Sequence, residues 1–443
     1  RYLYTSFYTK IQLYRMLNPL TRRRIGFLEI SQAYDTALSE TAACRKRWQQ
    51  RYRDQRPQTA PDRLSVVLLG RPYNVYSNQL NGNIPKLFNE LGIDTFSQEM
   101  VDYEPDKIER IRPLLNEFHW HFASKILEVA EVVAQEPGVY PVYLSSFKCS
   151  PDSFALEYFK QIMAHYQKPY LICELDEHIS NVGYETRIEA ASRSFRNHLT
   201  QEQNRSQTAP LFRPLLNSQE LTDKTVVMPN WDRIACSFLV STLRSEGVRA
   251  VLMEESEQTI RRSLKHNSGQ CMPVNAIAQG FIETVEKHQL NPACSLLWIN
   301  KSYLACNKRL YPYYIQTILA ERGLADASIY YGDLTFADIS LRAIMSSYFA
   351  YFFGGMLRRV ACRIRPYELR QGETDRVLDE AIAEIAQAFE THADKLEVLD
   401  QVIRRFQKIE RRQEKRIKVA IFGDLYSRDN RVMNQDLIRF IEA

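Results

Sequence analysis

The chain has 443 residues, 45% of them hydrophobic, 25% charged and 11% aromatic. This composition supports two or three buried cores and excludes disordered, fibrous and collagen-like classes. Net charge is only +5, and it is uneven: residues 1–63 hold 13 Lys/Arg against 5 Asp/Glu, leaving the remainder slightly acidic at 45 against 48.

Residues 1–63 read as a helical, basic segment, with apolar side chains at three- and four-residue steps in "TKIQLYRMLNPLTRRR" and "ISQAYDTALSETAACRKRWQQRYR". Clustered Arg suggests a nucleic-acid footprint, but no recognisable binding module follows, so nucleic acid is excluded as a partner. The expected use is a solvated helix or a docking surface for another part of the protein. The chain opens on Arg and stops inside a helical pattern, so it is expected to be an interior piece of a longer protein.

After the linker "RPQTAPD" comes "LSVVLLGRPY", a continuous apolar run of the kind buried on both faces of a parallel sheet. The helix "NIPKLFNELGI" comes next. "YPVYLSSFKCSPDSFALEYFKQIMAHYQKPYLICELDEH" repeats the scheme as strand, loop, helix and strand, giving a first α/β domain over 64–215. Four more strands, "KTVVMPN", "RAVLMEE", "CSLLWINKS" and "DASIYYGDL", alternate with helices in a second α/β domain over 216–336. Residues 337–415 turn helical, and 416–443 read as the start of a further α/β unit, with "KVAIF" as its strand. The predicted class is therefore α/β, with two or more parallel-sheet, flavodoxin- or Rossmann-like domains joined to helical N-terminal and connecting segments. The uncharged run Ala343–Leu357 is shorter than the roughly 20 residues of a membrane span and predicts a buried helix.

Eight cysteines and no signal segment point to a reducing, cytoplasmic setting. Doubly wound sheets bind ligands beyond the carboxyl ends of their strands. Cys149 and Cys306 follow predicted strands, and Cys271 opens a predicted helix between Ser268-Gly269 and Pro273. A helix N-terminus favours a thiolate. Zinc sites usually show Cys-x-x-Cys pairs, absent here, whereas iron–sulfur ligands can come from distant loops. From spacing alone, the other reading of each thiol, a small buried hydrophobe, stays open; it is the one adopted for Cys44, Cys173, Cys236, Cys294 and Cys362. Gly70, Arg71 and Tyr73, in the loop after the first strand, form a candidate cofactor-binding loop, with Arg71 able to pair with a phosphate or a carboxylate. Asp176–His178 read as a hydrogen-bonded corner. His119 and His121, two apart on an expected helix, share no face and are not read as metal ligands.

Taken together, "LLGRPYNVYSNQLNGNIPKLFNELGI", "YPVYLSSFKCSPDSFALEYF", "GQCMPVNAIAQGF", "ACNKRLYPYY", "RPYE" and "KVAIFGDLYSRDNRVMNQDLIRFIE" resemble the large acyl-CoA dehydratase activase-related proteins. Those are relatives of 2-hydroxyacyl-CoA dehydratase subunits and double-cubane cluster proteins. The resemblance runs from about Leu64 to the end. It implies an oxygen-sensitive iron–sulfur protein in which an ATPase module drives electrons to a low-potential cluster, and it places Cys149, Cys271 and Cys306 on the family's cysteine positions. The family's ATPase glycine motifs are missing, so ATP enters only through a module outside this chain. Three thiols are fewer than the four of an ordinary cluster. The expected partners are that ATPase module, an electron donor or acceptor protein, an acyl-CoA and a second copy of the chain in a homo-oligomer; no membrane partner is expected. The rival readings are a dehydratase-like subunit acting on the acyl-CoA and a scaffold without a cluster. No catalytic residue is assigned.

Overall fold

The computed structural model describes residues 5–56, 64–146, 150–176, 181–200, 211–216, 221 and 223–443. They divide into two units, Arg1–Leu211 and Phe212–Ala443.

In the first unit, α1 (Ser6–Leu17) and α2 (Phe27–Gln55) form a hairpin whose contact is aromatic, with the Phe27 ring edge-on to Phe7 and Tyr14. Both uses expected for the basic segment are present: most of α1 and α2 is solvated, with only Ile30 and Tyr52 buried, and the end of α2 docks. The end of α2 inserts Tyr52, 1% exposed, edge-on to Phe96. Its cations meet acids of the α/β layer, Arg53 with Asp102 at 2.6 Å and Arg56 with Glu136 at 2.7 Å.

The sheet holds β1 (Ser65–Gly70), β2 (Asp94–Ser97), β3 (Val139–Ser146) and β4 (Leu171–Leu175) in the order β2-β1-β3-β4, all parallel. Every residue of β1 is buried, as its unbroken apolar run requires of a central strand. Gly70 closes β1 opposite Leu144, where a built Cβ would lie 2.6 Å from the Leu144 carbonyl oxygen, so only glycine lets the strands end this close. The helices are α3 (Pro72–Tyr76), α4 (Ile84–Glu90), α5 (Arg112–Glu117), α6 (His121–Gln135), α7 (Ser150–Tyr166) and α8 (Asn181–Thr200). His119 precedes α6 and His121 is its first residue, so the two do not share the expected helix.

The second unit repeats the strand order. β5 (Thr225–Met228), β6 (Arg249–Leu252), β7 (Ser295–Asn300) and β8 (Ser328–Gly332) lie as β6-β5-β7-β8, again all parallel. Between them run α9 (Arg233–Ser245), α10 (Glu257–Ser263), α11 (Met272–Lys287) and α12 (Tyr311–Glu321). The connecting helices α13 (Leu341–Ile364), α14 (Glu373–Thr391) and α15 (Lys395–Gln407) come after β8, and α13 and α14 pack on α9. Gly354 makes the α13 crossing possible, because a built Cβ would lie 2.9 Å from the Ala235 Cβ. Phe389 of α14 stacks on Phe238 of α9 at 5.4 Å.

The expected strand at Lys418–Phe422 does not form. These residues have no ladder partner among the described residues, and Val419 and Phe422 stand exposed. An apolar run becomes a strand only beside a neighbour that takes its hydrogen bonds. The last two helices, α16 (Leu425–Asp429) and α17 (Leu437–Glu442), belong to the second unit, where Asp429 pairs with Arg358 of α13 at 3.2 Å. Among the described residues no helix is long and apolar enough to cross a membrane.

Candidate functional site

Both sheets change winding direction at one point, between β1 and β3 in the first unit and between β5 and β7 in the second. Parallel sheets open a crevice there, beyond the strand ends. In the second unit the crevice is a small hollow of about 50 Å³. Trp231 after β5 and Pro273 and Ile277 of α11 form its apolar walls, and Cys306, Lys308 and Asp424 bring polar groups to it.

Cys271 is the N-cap of the 16-residue α11. The loop before it is wired by its own side chains: Asn267 Oδ1 accepts from the Gly269 amide at 2.8 Å, and Gln270 Oε1 accepts from the Ser268 amide at 2.9 Å. Gly269 has φ +116°, which explains the glycine. Pro273 is tolerated in the first turn, where its missing N–H costs nothing. The punctuation around this cysteine is thus a turn that sets a thiol at a helix mouth.

The second thiol comes from the loop after β7. Cys306 is exposed and caps a 3-10 turn, Asn307–Leu310, that leads into α12. That turn folds back on Cys271. Asn307 Nδ2 donates to the Cys271 Sγ at 3.1 Å, and the buried Tyr311 hydroxyl is also hydrogen-bonded to Cys271. Burial pushes the Tyr311 hydroxyl well above its ordinary pKa, with the neighbouring Cys271, Cys306 and Asp424 adding to the rise. Burial lowers the Lys308 ammonium, while Asp424 and Cys306 oppose the shift. One short segment, Cys306–Tyr311, therefore brings an amide donor and a phenol to the Cys271 thiol and carries a second thiol and a cation beside them.

Residues 3–101 match the family model described as a CoA enzyme activase uncharacterised domain. The chain carries a CoA enzyme activase-related domain. The match agrees with an acyl-CoA dehydratase activase-related protein, and it begins well before Leu64, taking in the helical hairpin that docks on β2 and its neighbours. No curated protein and no solved structure matches the chain. The activase-related match contains Gly70, Arg71 and Tyr73, while Cys271 and Cys306 lie beyond it.

Within the activase-related segment, Arg71 is turned to a carboxylate of this chain. Its guanidinium grips Asp152 in a fork, Nε to Oδ1 at 2.9 Å and Nη2 to Oδ1 at 2.7 Å, with the Asp152 side chain 6% exposed. Gly70 donates its amide to Gln98, and Tyr73 is exposed. The loops after β1 and β3 are further tied by Asn74, whose Nδ2 donates to Ser146 Oγ at 3.1 Å. Cys149 and His178 lie outside the described residues. Among those described, no group of three or more His, Cys, Asp or Glu is arranged to hold a metal ion.

Cys173 is buried in β4, where burial pushes its thiol up to about 11, and burial raises Cys236 of α9 and Cys362 of α13 as well. These thiols are held neutral by their surroundings. Cys294 is exposed and Cys44 half-buried. Sequence reasoning does not single out Asn307, Lys308, Tyr311 or Asp424; the available signal is the polar and aromatic run "NKRLYPYY" directly behind Cys306.

Proposed function

We propose that the chain is the cluster-holding, electron-transfer part of an activase-related protein, with Cys271 and Cys306 as two thiolate ligands of an iron–sulfur cluster. The observation that carries this reading is the Asn307 amide on the Cys271 sulfur, which binds the two cysteine loops together beyond the ends of β5 and β7. The donor chemistry fits: thiolates suit iron–sulfur clusters, and here Cys306 lines the hollow while Cys271 is tied to the same loop through Asn307 and Tyr311. A cluster takes four such ligands, so others join them. When bound, the cluster supplies one-electron redox chemistry at low potential.

The chain's own residues prepare the place. The N-terminus of α11 and the donors from Asn307 and Tyr311 support negative charge on Cys271. Trp231, Pro273 and Ile277 keep water from one side. The Lys308 ammonium offsets negative charge beside Cys306, and hydrogen bonds and burial of this kind set a cluster's potential. Electrons arrive through an ATPase module outside this chain and leave to an acceptor protein, in a reducing, cytoplasmic compartment.

The test is anaerobic preparation of the full-length protein with iron and sulfide assays. Cys271→Ala and Cys306→Ala should each lower the iron content, and Cys294→Ala, exposed and away from the hollow, should not. Iron content unaffected by both of the first two would remove them as ligands, and iron-free protein would leave only the scaffold. A spectral change on adding acyl-CoA would assign the site to the dehydratase-like reading instead.

A further inference from the structure

The uncharged run that predicts a buried helix forms α13, and α13 is only half covered. Ala343, Ala350, Phe353 and Leu357 are buried in the second unit. The opposite face is solvent-exposed and apolar: Leu341 is 77% exposed, Met345 54%, Tyr348 69% and Phe352 56%. A helix that is apolar all round is normally covered all round, and a contiguous exposed apolar patch marks an interaction site.

The spacing of the exposed positions defines the shape of the cover. Leu341, Met345, Tyr348 and Phe352 follow steps of four, three and four, which is the seam of a heptad repeat. The next two positions on that seam are Gly355, with nothing within 4 Å of a built Cβ, and exposed Arg359, followed one turn later by exposed Arg363. The seam therefore runs from large apolar side chains, through a notch that admits another side chain, to two arginines. From Leu341 to Ile364 the helix has no Asp or Glu, and neither Arg359 nor Arg363 is ion-paired among the described residues.

Charge selects the occupant. Two copies laid parallel along this seam would set the arginines against each other, and laid antiparallel they would set them against Leu341 and Met345. An anionic membrane is met by cations flanking an apolar face along its length, whereas here Arg342 alone flanks the apolar half and Arg359 continues the seam with Arg363 beside it. We propose that the exposed face of α13 is a docking site for one amphipathic helix of a protein partner, apolar at its a and d positions along one half and carrying Asp or Glu along the other. The inference stands apart from the cluster reading and survives its failure.

The probe is a fluorescein-labelled synthetic peptide of about 21 residues, three heptads, with Leu at the a and d positions of one half and Glu on the seam of the other. A twin carries Lys in place of Glu. Fluorescence anisotropy on the full chain should show binding of the acidic peptide, weakening with salt, and little of its twin. Phe352→Ser, at an exposed position, should weaken binding roughly tenfold, as for loss of a buried aromatic anchor. The Arg359→Glu, Arg363→Glu double variant should reverse the preference between the peptides, which mere misfolding would not do. Four outcomes overturn the proposal: equal binding of both peptides, binding of neither, binding only to phosphatidylglycerol vesicles, or a dimer in sedimentation that Phe352→Ser dissolves.

Discussion

Two adjacent glycines in α13 have opposite surroundings, so the same substitution should change stability in opposite directions. At Gly354 an added methyl meets the Cβ, Cα and N of Ala235 at 2.9, 3.1 and 3.2 Å, atoms with no rotamer to move away by. Relief requires α13 to shift on α9, an overpacking cost of about 1–3 kcal/mol, against which Ala regains up to about 1 kcal/mol of helix propensity. At Gly355 the methyl enters open space and only the propensity gain remains. Gly354→Ala should therefore destabilise the second unit, Gly355→Ala should stabilise it by about 0.5–1 kcal/mol, and the two should differ by about 2 kcal/mol. Native-state hydrogen exchange read on α9 and α13 peptides isolates this unit from the other and resolves a tenfold rate change per 1.4 kcal/mol. Equal shifts, or a stabilised Gly354→Ala, would refute the close crossing of these helices.

Asp152→Asn should destabilise the first unit by about 1–3 kcal/mol, because it removes the charged acceptor that the mostly buried Arg71 guanidinium grips; a urea midpoint unchanged in the first unit's transition would count against that pair. Burial raises Glu255, in the loop after β6, to about 7, even though Tyr426 and Asn430 donate to it. Unfolded, it titrates near 4.3, so between these values the native state holds the extra proton, and stability should fall as pH rises from about 4 to about 7, by roughly 3 kcal/mol, then level off. Glu255→Gln should remove that slope from the unfolding free energy, and parallel pH curves for the two proteins would contradict the assignment.

Whether a residue's role is readable in the sequence depends on whether that role is local. β1 and β7 are legible because each is an unbroken apolar run and sits centrally in its sheet, where both faces are covered. β2 is not, since Asp94–Ser97 is short, polar and at an edge, with only Phe96 buried. Lys418–Phe422 has strand composition, but composition carries no information about a neighbouring strand. The apolar run of α13 announces a helix without saying that one face lacks cover. At the site, Cys271 and Cys306 stand out by their places after punctuation and after a strand. Asn307, Lys308 and Tyr311 do not, because their significance depends on a turn folding back onto a helix mouth some 36 residues earlier in the chain.

One wall of the hollow is not built from the sheet at all. Asp424 and Tyr426 reach it from the segment before and within α16, and that segment is fastened by Tyr426 and Asn430 to Glu255, with Asn430 also donating to the Asn230 carbonyl oxygen at 2.6 Å. The sulfur-bearing crevice thus has a cover plate from outside the sheet, pinned to Glu255, to the Asn230 carbonyl and, through Asp429, to Arg358. Because none of these fastenings involves a strand ladder, the wall that covers the crevice and the sheet beneath it are held by separate sets of bonds.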